Sequence, residues 1–357
     1  MKKTKSFFSL RIITESRLFF PILALATILL LDFIFIPIFF AIENRSGNLH
    51  GSLIDILRNG STVSLLAIGM TLVIATGGVD LSVGAVMAIA ASVAALLMNP
   101  YVLATELPAN LSALINDPHF TFQPLWVVIT VTLLVATVCG LWNGVLVAYV
   151  RIQPMVATLI LMIAGRGIAQ LITNGVRIQI FYEPYSFIGQ GWVILPFSLY
   201  LVAILLISTW VLTRKTAIGL FIESVGTNFR SSFFSGIDEK KIKLLVYTFC
   251  GFCAGIAGLV ASSNIKTSDA NNIGLTLELD AILAVVIGGT SMSGGRFSLL
   301  ASIVGALVMQ AVTTSMYAIG VPAFALQAIK GVVVIFVIML YSQQVKDLLQ
   351  KIGMKKV

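Results

Sequence analysis

No lysine in this 357-residue chain follows a glycine, so the phosphate-cradling pattern G-x-x-x-x-G-K-[ST] is absent and the chain is not expected to hydrolyse ATP itself. Histidine is nearly missing. His50 and His119 are the only two, both in expected loops, which leaves a histidine-based metal site little support. The Asp-rich metal motifs of membrane prenyltransferases are missing as well, and an enzyme is not expected. Cysteine is scarce: Cys139, Cys250 and Cys253 all lie in apolar runs. Cys250 and Cys253 form a C-x-x-C among Gly251, Gly255 and Gly258, where small residues at a helix–helix contact are a better reading than redox or metal chemistry. Charged residues make up only 11% of the chain, which excludes an ordinary soluble domain.

Apolar residues fill that space. They account for 58% of the chain, and the mean hydropathy is +1.01. Runs long enough to cross a hydrocarbon layer of about 30 Å recur along the sequence. The expected spans are 18–40, 53–76, 81–98, 124–150, 155–174, 192–212, 243–264, 279–292, 297–319 and 322–341. The eighth is too short to cross alone and reads as broken or half-penetrating. Ten spans is therefore the expected count, with nine the alternative. The first run follows basic residues as a signal peptide does, but it is too long and lacks an A-x-A cleavage site, so it reads as an uncleaved span.

Lysine and arginine set the orientation, because cytosolic loops retain them. With the N-terminus inside, seventeen fall on the cytosolic side, including Arg151, Arg214, Lys215, Arg230, Lys240, Lys241, Lys243 and Arg296. Only Arg45, Arg58, Arg177 and Lys266 fall outside. Both termini are thus expected in the cytosol. The net charge of +8 then follows from topology, with no need for a nucleic-acid partner.

One polar stretch interrupts the oily chain. Thr213 to Lys243 carries six Lys or Arg and three Asp or Glu. Within it, Ile218, Phe221, Ile222, Val225, Phe229 and Phe233 recur at spacings of three and four, so a short helix over 218–233 would have one apolar face. A basic amphipathic helix on the cytosolic side points to a docking surface for another protein.

Three further segments break helices within or beside the membrane. Thr76 to Ala85 places Gly77 and Gly78 at the end of one span, and Asp80 and Ser82 as an N-cap pattern for the next. Asp80 reads equally as a turn cap and as a gate. In the segment from Trp142 to Gly167, Asn143 and Thr158 are interhelical hydrogen-bonders or path-lining groups. Arg166 sits deep in the fifth span, where a charge costs about 2.5–3.5 kcal/mol on insertion scales and needs a partner or a watery cavity. In the third, Leu277 to Phe297, Glu278 and Asp280 enter from the outer face ahead of a Gly-Ser-rich break at Gly288 to Gly295. It faintly echoes the first break, through an internal repeat or by coincidence. Lys330 and Asp32 are intramembrane charges given no role; Lys330 is placed to snorkel outward.

Five of these motifs, G-G-V-D-L-S-V-G-A, L-W-N-G-V-L-V, I-Q-P-M-V-A-T-L, A-G-R-G and E-L-D-A-I-L-A-V-V-I-G-G-T-S, occur in an order that resembles the monosaccharide permeases of bacterial ATP-binding-cassette importers. That group serves ribose, arabinose, xylose and galactofuranose and lies within the branched-chain permease superfamily. The resemblance runs from about Ile54 to about Tyr341. In the polar loop Gly219, Gly226, Asn228, Ser235, Gly236 and Ile237 match the family pattern, whereas Leu220 replaces Arg, Glu223 replaces Tyr and Ser231-Ser232 replace an Ala pair. With S-D-A-N-N-I-G-L-T-L-E-L-D-A-I from Ser268, these departures look most like a galactofuranose permease subunit.

The resemblance implies an all-α polytopic membrane protein of the bacterial cytoplasmic membrane, with about ten helices and both termini inside. It implies one permease domain over 18–342, cytosolic tails at 1–17 and 343–357, and a coupling loop at 213–243. Coupling to a separate ATPase subunit, which would use ATP and Mg, would fall on Ile218, Gly219, Phe221, Glu223, Val225, Gly226, Asn228, Phe229 and Gly236. No cofactor is expected on this chain. Its implied partners are that ATPase, a periplasmic or extracellular sugar-binding protein meeting loops 99–123, 175–191 and 265–278, a second permease (a related chain or another copy) and membrane lipid. Asp80, Asn143 and Thr158 are the candidates for lining or gating the sugar path, and Arg166, Glu278 and Asp280 for structural or gate charges. Two rivals remain from the residues alone: an ion-coupled secondary transporter, which intramembrane Asp80, Asp280 and Arg166 would suit, and a passive channel, which leaves the loop helix without a purpose.

Overall fold

A hydrocarbon solvent leaves a backbone no water to bond, so a chain this apolar must close its hydrogen bonds within helices. The computed structural model, which describes residues 18–36, 39–45, 48–98, 123–322 and 325–332, is accordingly a helical bundle. Its helices are α1 (Phe19–Phe35), α2 (Ser52–Ala75), α3 (Val83–Met98), α4 (Leu125–Ala148), α5 (Pro154–Ile172), α6 (Glu183–Gln190) and α7 (Phe197–Lys215). They continue with α8 (Ala217–Thr227), α9 (Phe229–Phe234), α10 (Glu239–Ile265), α11 (Leu277–Ile287) and α12 (Leu299–Ala318), and α13 covers 325–332. Two antiparallel ribbons, β1 (Glu43–Arg45) with β2 (Asn48–His50) and β3 (Ile178–Gln179) with β4 (Thr267–Ser268), staple loops.

Among the described residues six helices, α2, α4, α5, α7, α10 and α12, are long and apolar enough to cross a membrane, and α1, α3 and α8 are shorter apolar helices. Burial sorts them. The apolar window of α2 is 83% buried and those of α10 and α12 are 61% buried, against 22% for α4 and 28% for α5 and α7. Thus α2 is the axial helix, packed by α10, α11, α12 and α7. The outward faces of α4, α5 and α7 carry exposed Trp126, Leu171 and Ile204, as lipid-facing surfaces do.

Small residues let the central helices touch. A Cβ added to Gly251 of α10 would lie 2.6 Å from the Ala136 carbonyl oxygen and 2.7 Å from Gly140 Cα of α4, so the two backbones meet directly. Cys250 and Cys253 are free and fully buried beside them, and Cys253 Sγ packs against Gly69 of α2.

Several boundaries differ from expectation for local reasons. α7 starts at Phe197 rather than 192 because Pro196 is held extended at ψ 131° and forms a bridge with Trp192. α10 starts at Glu239 rather than 243, since the Asp238 carboxylate caps the amides of Lys240 and Lys241 at 3.1 and 3.4 Å. The helix expected over 218–233 is two helices. Asn228 is extended at φ −159° and its side-chain oxygen accepts from Ser231 N at 3.1 Å, so it ends α8 and caps α9. As a result Phe229 and Phe233 leave the buried face and are exposed. The tails 1–17 and 343–357, loop 99–122, His119 and the last part of the tenth span lie outside the described residues.

Candidate functional site

The polar residues singled out in the sequence gather at four places, three of which tie broken backbone to intact helices. The first is the turn between α2 and α3. Asp80 accepts hydrogen bonds from Ser82 N at 2.9 Å, from Ser82 Oγ at 2.7 Å and from Asn143 Nδ2 at 3.4 Å. Asn143, from α4, also donates to Ser82 Oγ at 2.7 Å. Thr158, one turn into α5, accepts from Leu81 N at 3.1 Å and donates to Pro154 O at 3.0 Å. Tyr247 of α10 donates to Val79 O at 3.4 Å. Asp80, Asn143 and Thr158 are all buried, so in this conformation they form one closed knot joining α3, α4, α5 and α10. Asn143 Oδ1 has no hydrogen-bond partner among the described residues. An orphaned buried acceptor costs about 1–3 kcal/mol.

The second place is irregular backbone ahead of α11. Arg166, twelve residues into α5, donates through one guanidinium nitrogen to Ala270 O at 3.0 Å and Ile273 O at 2.5 Å. Both carbonyls belong to the β4–α11 connection, which turns through left-handed Gly274 and Thr276, at φ 72° and 66°. The Arg166 charge thus satisfies backbone that no helix satisfies. Glu278 is buried at the start of α11 against Gly84 of α3. At the outer rim of this loop Asp269 caps Asn271 N and Asn272 N and pairs with Arg177 at 2.7 Å. Burial works against the Asp269 charge, but the Asn272 side chain, the two amides and Arg177 outweigh it and hold this carboxyl below its ordinary value.

The third is an ion pair. Asp280 of α11 meets Lys330 Nζ of α13 at 2.8 Å, both side chains largely buried. Lys330 therefore does not snorkel outward; it finds a carboxylate fifty residues away in sequence. Asp32 is similarly committed, accepting from Ser315 Oγ at 2.7 Å.

The fourth is the seat of α8. Gly219 packs on the Thr213 carbonyl, Ile222 and Val225 are buried, and Ile218, Phe221 and Glu223 are half-buried. A Cβ on Gly226 would run into the Ala75 carbonyl and lie 2.5 Å from Gly295 N. Ala75 is the last residue of α2, and its carbonyl accepts from Gly295 N at 2.9 Å. α8 therefore rests directly on the end of the axial helix, five residues from Asp80, and on the α11–α12 break. Its other face, with α9, is open: Leu220, Phe229, Phe233 and Phe234 are 65%, 53%, 69% and 87% exposed. Asn228 and Gly236 are exposed beside them. Three broken segments that are far apart in sequence, at Gly77, Gly226 and Gly294, thus converge on one junction.

Sequence reasoning did not single out Tyr247, Ala75 or the role of Lys330. Nothing local to those residues marks them, because each acts through a partner brought in by the fold.

Comparison with known proteins places this architecture. No solved structure matches the chain. The galactofuranose transporter permease protein of Escherichia coli K12 is 46% identical over 331 residues, covering 92% of this chain and 91% of the relative. The fructose import permease protein of Bifidobacterium longum is 37% identical over 341 residues (94% and 90%). The ribose import permease protein of Haemophilus influenzae is 30% identical over 345 residues (95% and 97%). The family model described as branched-chain amino acid transport system / permease component matches residues 52–341. The chain belongs to that family: it is a multi-pass membrane permease of a bacterial ABC importer, which works with an ATPase and a binding protein and has no ATPase site of its own.

Proposed function

We propose that this permease carries a neutral monosaccharide of the galactofuranose type into the cytosol, driven by ATP and Mg consumed on the partner ATPase. Similarity to sugar permeases supports the substrate class, with the galactofuranose permease at 46% identity. The seat of α8 on Ala75 and Gly295 carries the coupling. A sugar-binding protein delivers the substrate to the outer loops. The ATPase then grips the exposed faces of α8 and α9 at the cytosolic end.

Closure of the ATPase pair pushes α8, and through Gly226 the push reaches α2, the Asp80 turn and the α11–α12 break together. Ile218, Gly219, Phe221, Glu223 and Val225 hold α8 against the bundle, while Asn228, Phe229 and Gly236 shape the surface presented to the motor. Asp80, Asn143 and Thr158 act as the inner gate, shut in the present conformation. Arg166, Glu278 and Asp280 hold the framework around it. In this reading the chain has about ten spans, with both termini and the 213–243 loop in the cytosol. One permease domain covers 18–342, and the pore is completed by a second permease, a related chain or another copy.

The test is uptake of labelled sugar into proteoliposomes holding the permease pair and ATPase, with the binding protein outside. Uptake is expected to require internal ATP and to ignore ionophores. Uptake that persists without ATP but collapses with an ionophore would identify an ion-coupled carrier; uptake indifferent to both would identify a channel.

A further inference from the structure

Gly140 and Gly251 let the backbones of α4 and α10 touch, and the larger side chains beside that seam enclose a groove of about 520 Å³. α4 contributes Thr137 and Leu141 to it. α10 contributes Lys241, Leu244, Leu245, Thr248, Phe249 and Phe252. Leu141 and Leu245 are exposed, so the groove opens on the lateral surface of the bundle. Both helices are long and apolar enough to cross a bilayer, and the groove therefore faces the hydrocarbon layer.

Its walls suit an acyl chain. Thr137 Oγ1 donates to Leu133 O at 2.6 Å and Thr248 Oγ1 to Leu244 O at 2.7 Å, so both hydroxyl protons are spent within their own helices. Apart from Lys241, the lining side chains then offer a ligand no hydrogen-bond donor. The length fits as well. From Lys241 to Phe252 α10 rises about 16 Å, and half of a hydrocarbon core of about 30 Å is about 15 Å. The groove runs the depth of one leaflet.

Charge gathers at one end only. The pairing of Lys241 with Asp238, at 3.4 Å, is exposed on both sides (77% and 48%) and therefore weak. Lys240 Nζ lies 5.8 Å from the ring centroid of Tyr149, the residue that ends α4, so a second ammonium group bridges the two helices at the same end. Arg151, which follows closely in the chain, is exposed. Lys243 and Glu239 offset each other at 3.8 Å. Cations thus outnumber carboxylates at this corner, and no acidic side chain lines the groove.

We propose that the groove holds one acyl chain of an anionic phospholipid, with the headgroup phosphate on Lys241 and Lys240. A basic mouth between two spanning helices, opening onto an apolar channel one leaflet deep, matches that lipid in both its parts. A zwitterionic lipid would bring its own cation to a corner already rich in them. Bound there, the anionic lipid ties the end of α4 to the start of α10, directly after α9.

The experiment is native mass spectrometry of the detergent-purified full chain titrated with dioleoyl phosphatidylglycerol. Lys240→Gln, Lys241→Gln is expected to weaken binding about tenfold. The Asp238 cap uses the backbone amides of these two residues, so the helix start is kept in the variant. Lys215→Gln, at an exposed lysine ending α7, is expected to leave binding unchanged. Dioleoyl phosphatidylcholine is expected to bind more weakly and to ignore the double substitution, and glycerol phosphate is expected not to displace the lipid. Equal phosphatidylglycerol binding in wild type and double variant, an equal loss in Lys215→Gln, or displacement by glycerol phosphate each overturns the site. A second measurement does not depend on the variant: a photoreactive residue at Leu245, 46% exposed in the groove, is expected to give phospholipid adducts in membranes. Adducts to a second permease chain in their place would make this face a protein interface and overturn the proposal.

Discussion

Gly226→Ala puts one methyl group into the contact through which α8 reaches the rest of the bundle. The added Cβ would collide with the Ala75 carbonyl and lie 2.5 Å from Gly295 N. Neither neighbour is a flexible side chain, so α8 must lift. Overpacking of this kind costs about 1–3 kcal/mol. The Gly295 N to Ala75 O hydrogen bond, 2.9 Å long, is wedged open at a cost of about 1 kcal/mol. Against this, alanine gains about 1 kcal/mol of helix propensity over glycine. The net is about 1–3 kcal/mol against the seated helix, or about 5- to 150-fold in its population. Because the core is built from α2, α3, α10 and α12, the protein is expected to remain folded and inserted while ATP-driven uptake falls at least about fivefold. The comparison is Gly167→Ala in α5, where nothing lies within 4 Å of the new methyl; uptake there is expected to match the wild type. Proteoliposome uptake at saturating binding protein reads both. Wild-type uptake by a folded Gly226→Ala protein would refute the idea that force passes through this contact.

The buried pair Asp280–Lys330 predicts that Asp280→Asn or Lys330→Met alone destabilises the detergent-solubilised protein by about 3–5 kcal/mol, since each strands a charge. The double substitution should cost less than either single one; a thermal-unfolding cycle that comes out additive would contradict the pairing. Arg166→Met removes two charge-assisted bonds to Ala270 O and Ile273 O, each worth about 1.5–3 kcal/mol. It should raise hydrogen exchange across 266–276 with little change in α2; uniform exchange would place the role of Arg166 elsewhere. Asp269 has its carboxyl held below the ordinary value of about 3.9, so its contribution is complete above that pH and fades as pH falls through the lower folded value. Protection of the β4–α11 loop should therefore be flat from about pH 5 to 8 and drop below about pH 4. That acid drop should shrink in Asp269→Asn, and an equal drop in both proteins would assign it to other groups.

How much of this could be read in advance depended on whether the cause was local. Span positions came through because hydropathy is a property of a window: 124–150 and 297–319 were expected, and Leu125–Ala148 and Leu299–Ala318 are helices. The break in the loop helix was also local, since Asn228 caps Ser231 three residues on, but the period of the apolar residues across it masked the stop. Arg166 was marked as needing a partner, yet its partners are carbonyl oxygens of Ala270 and Ile273, and backbone acceptors leave no trace in side-chain identity. The meeting of Gly226 with Ala75 and Gly295 joins three segments by shape alone. Each glycine was visible; their convergence was not.

The central claim is that the ATPase docks on the open face of α8 and α9. The most direct test is site-specific photo-crosslinking in membranes, with a photoreactive residue placed at Leu220 or Phe234, which are 65% and 87% exposed, and at Leu171 of α5, 77% exposed on the lateral surface. The account predicts ATPase adducts from Leu220 and Phe234 and none from Leu171. Adducts absent from α8 and α9, or equal at all three positions, would contradict it.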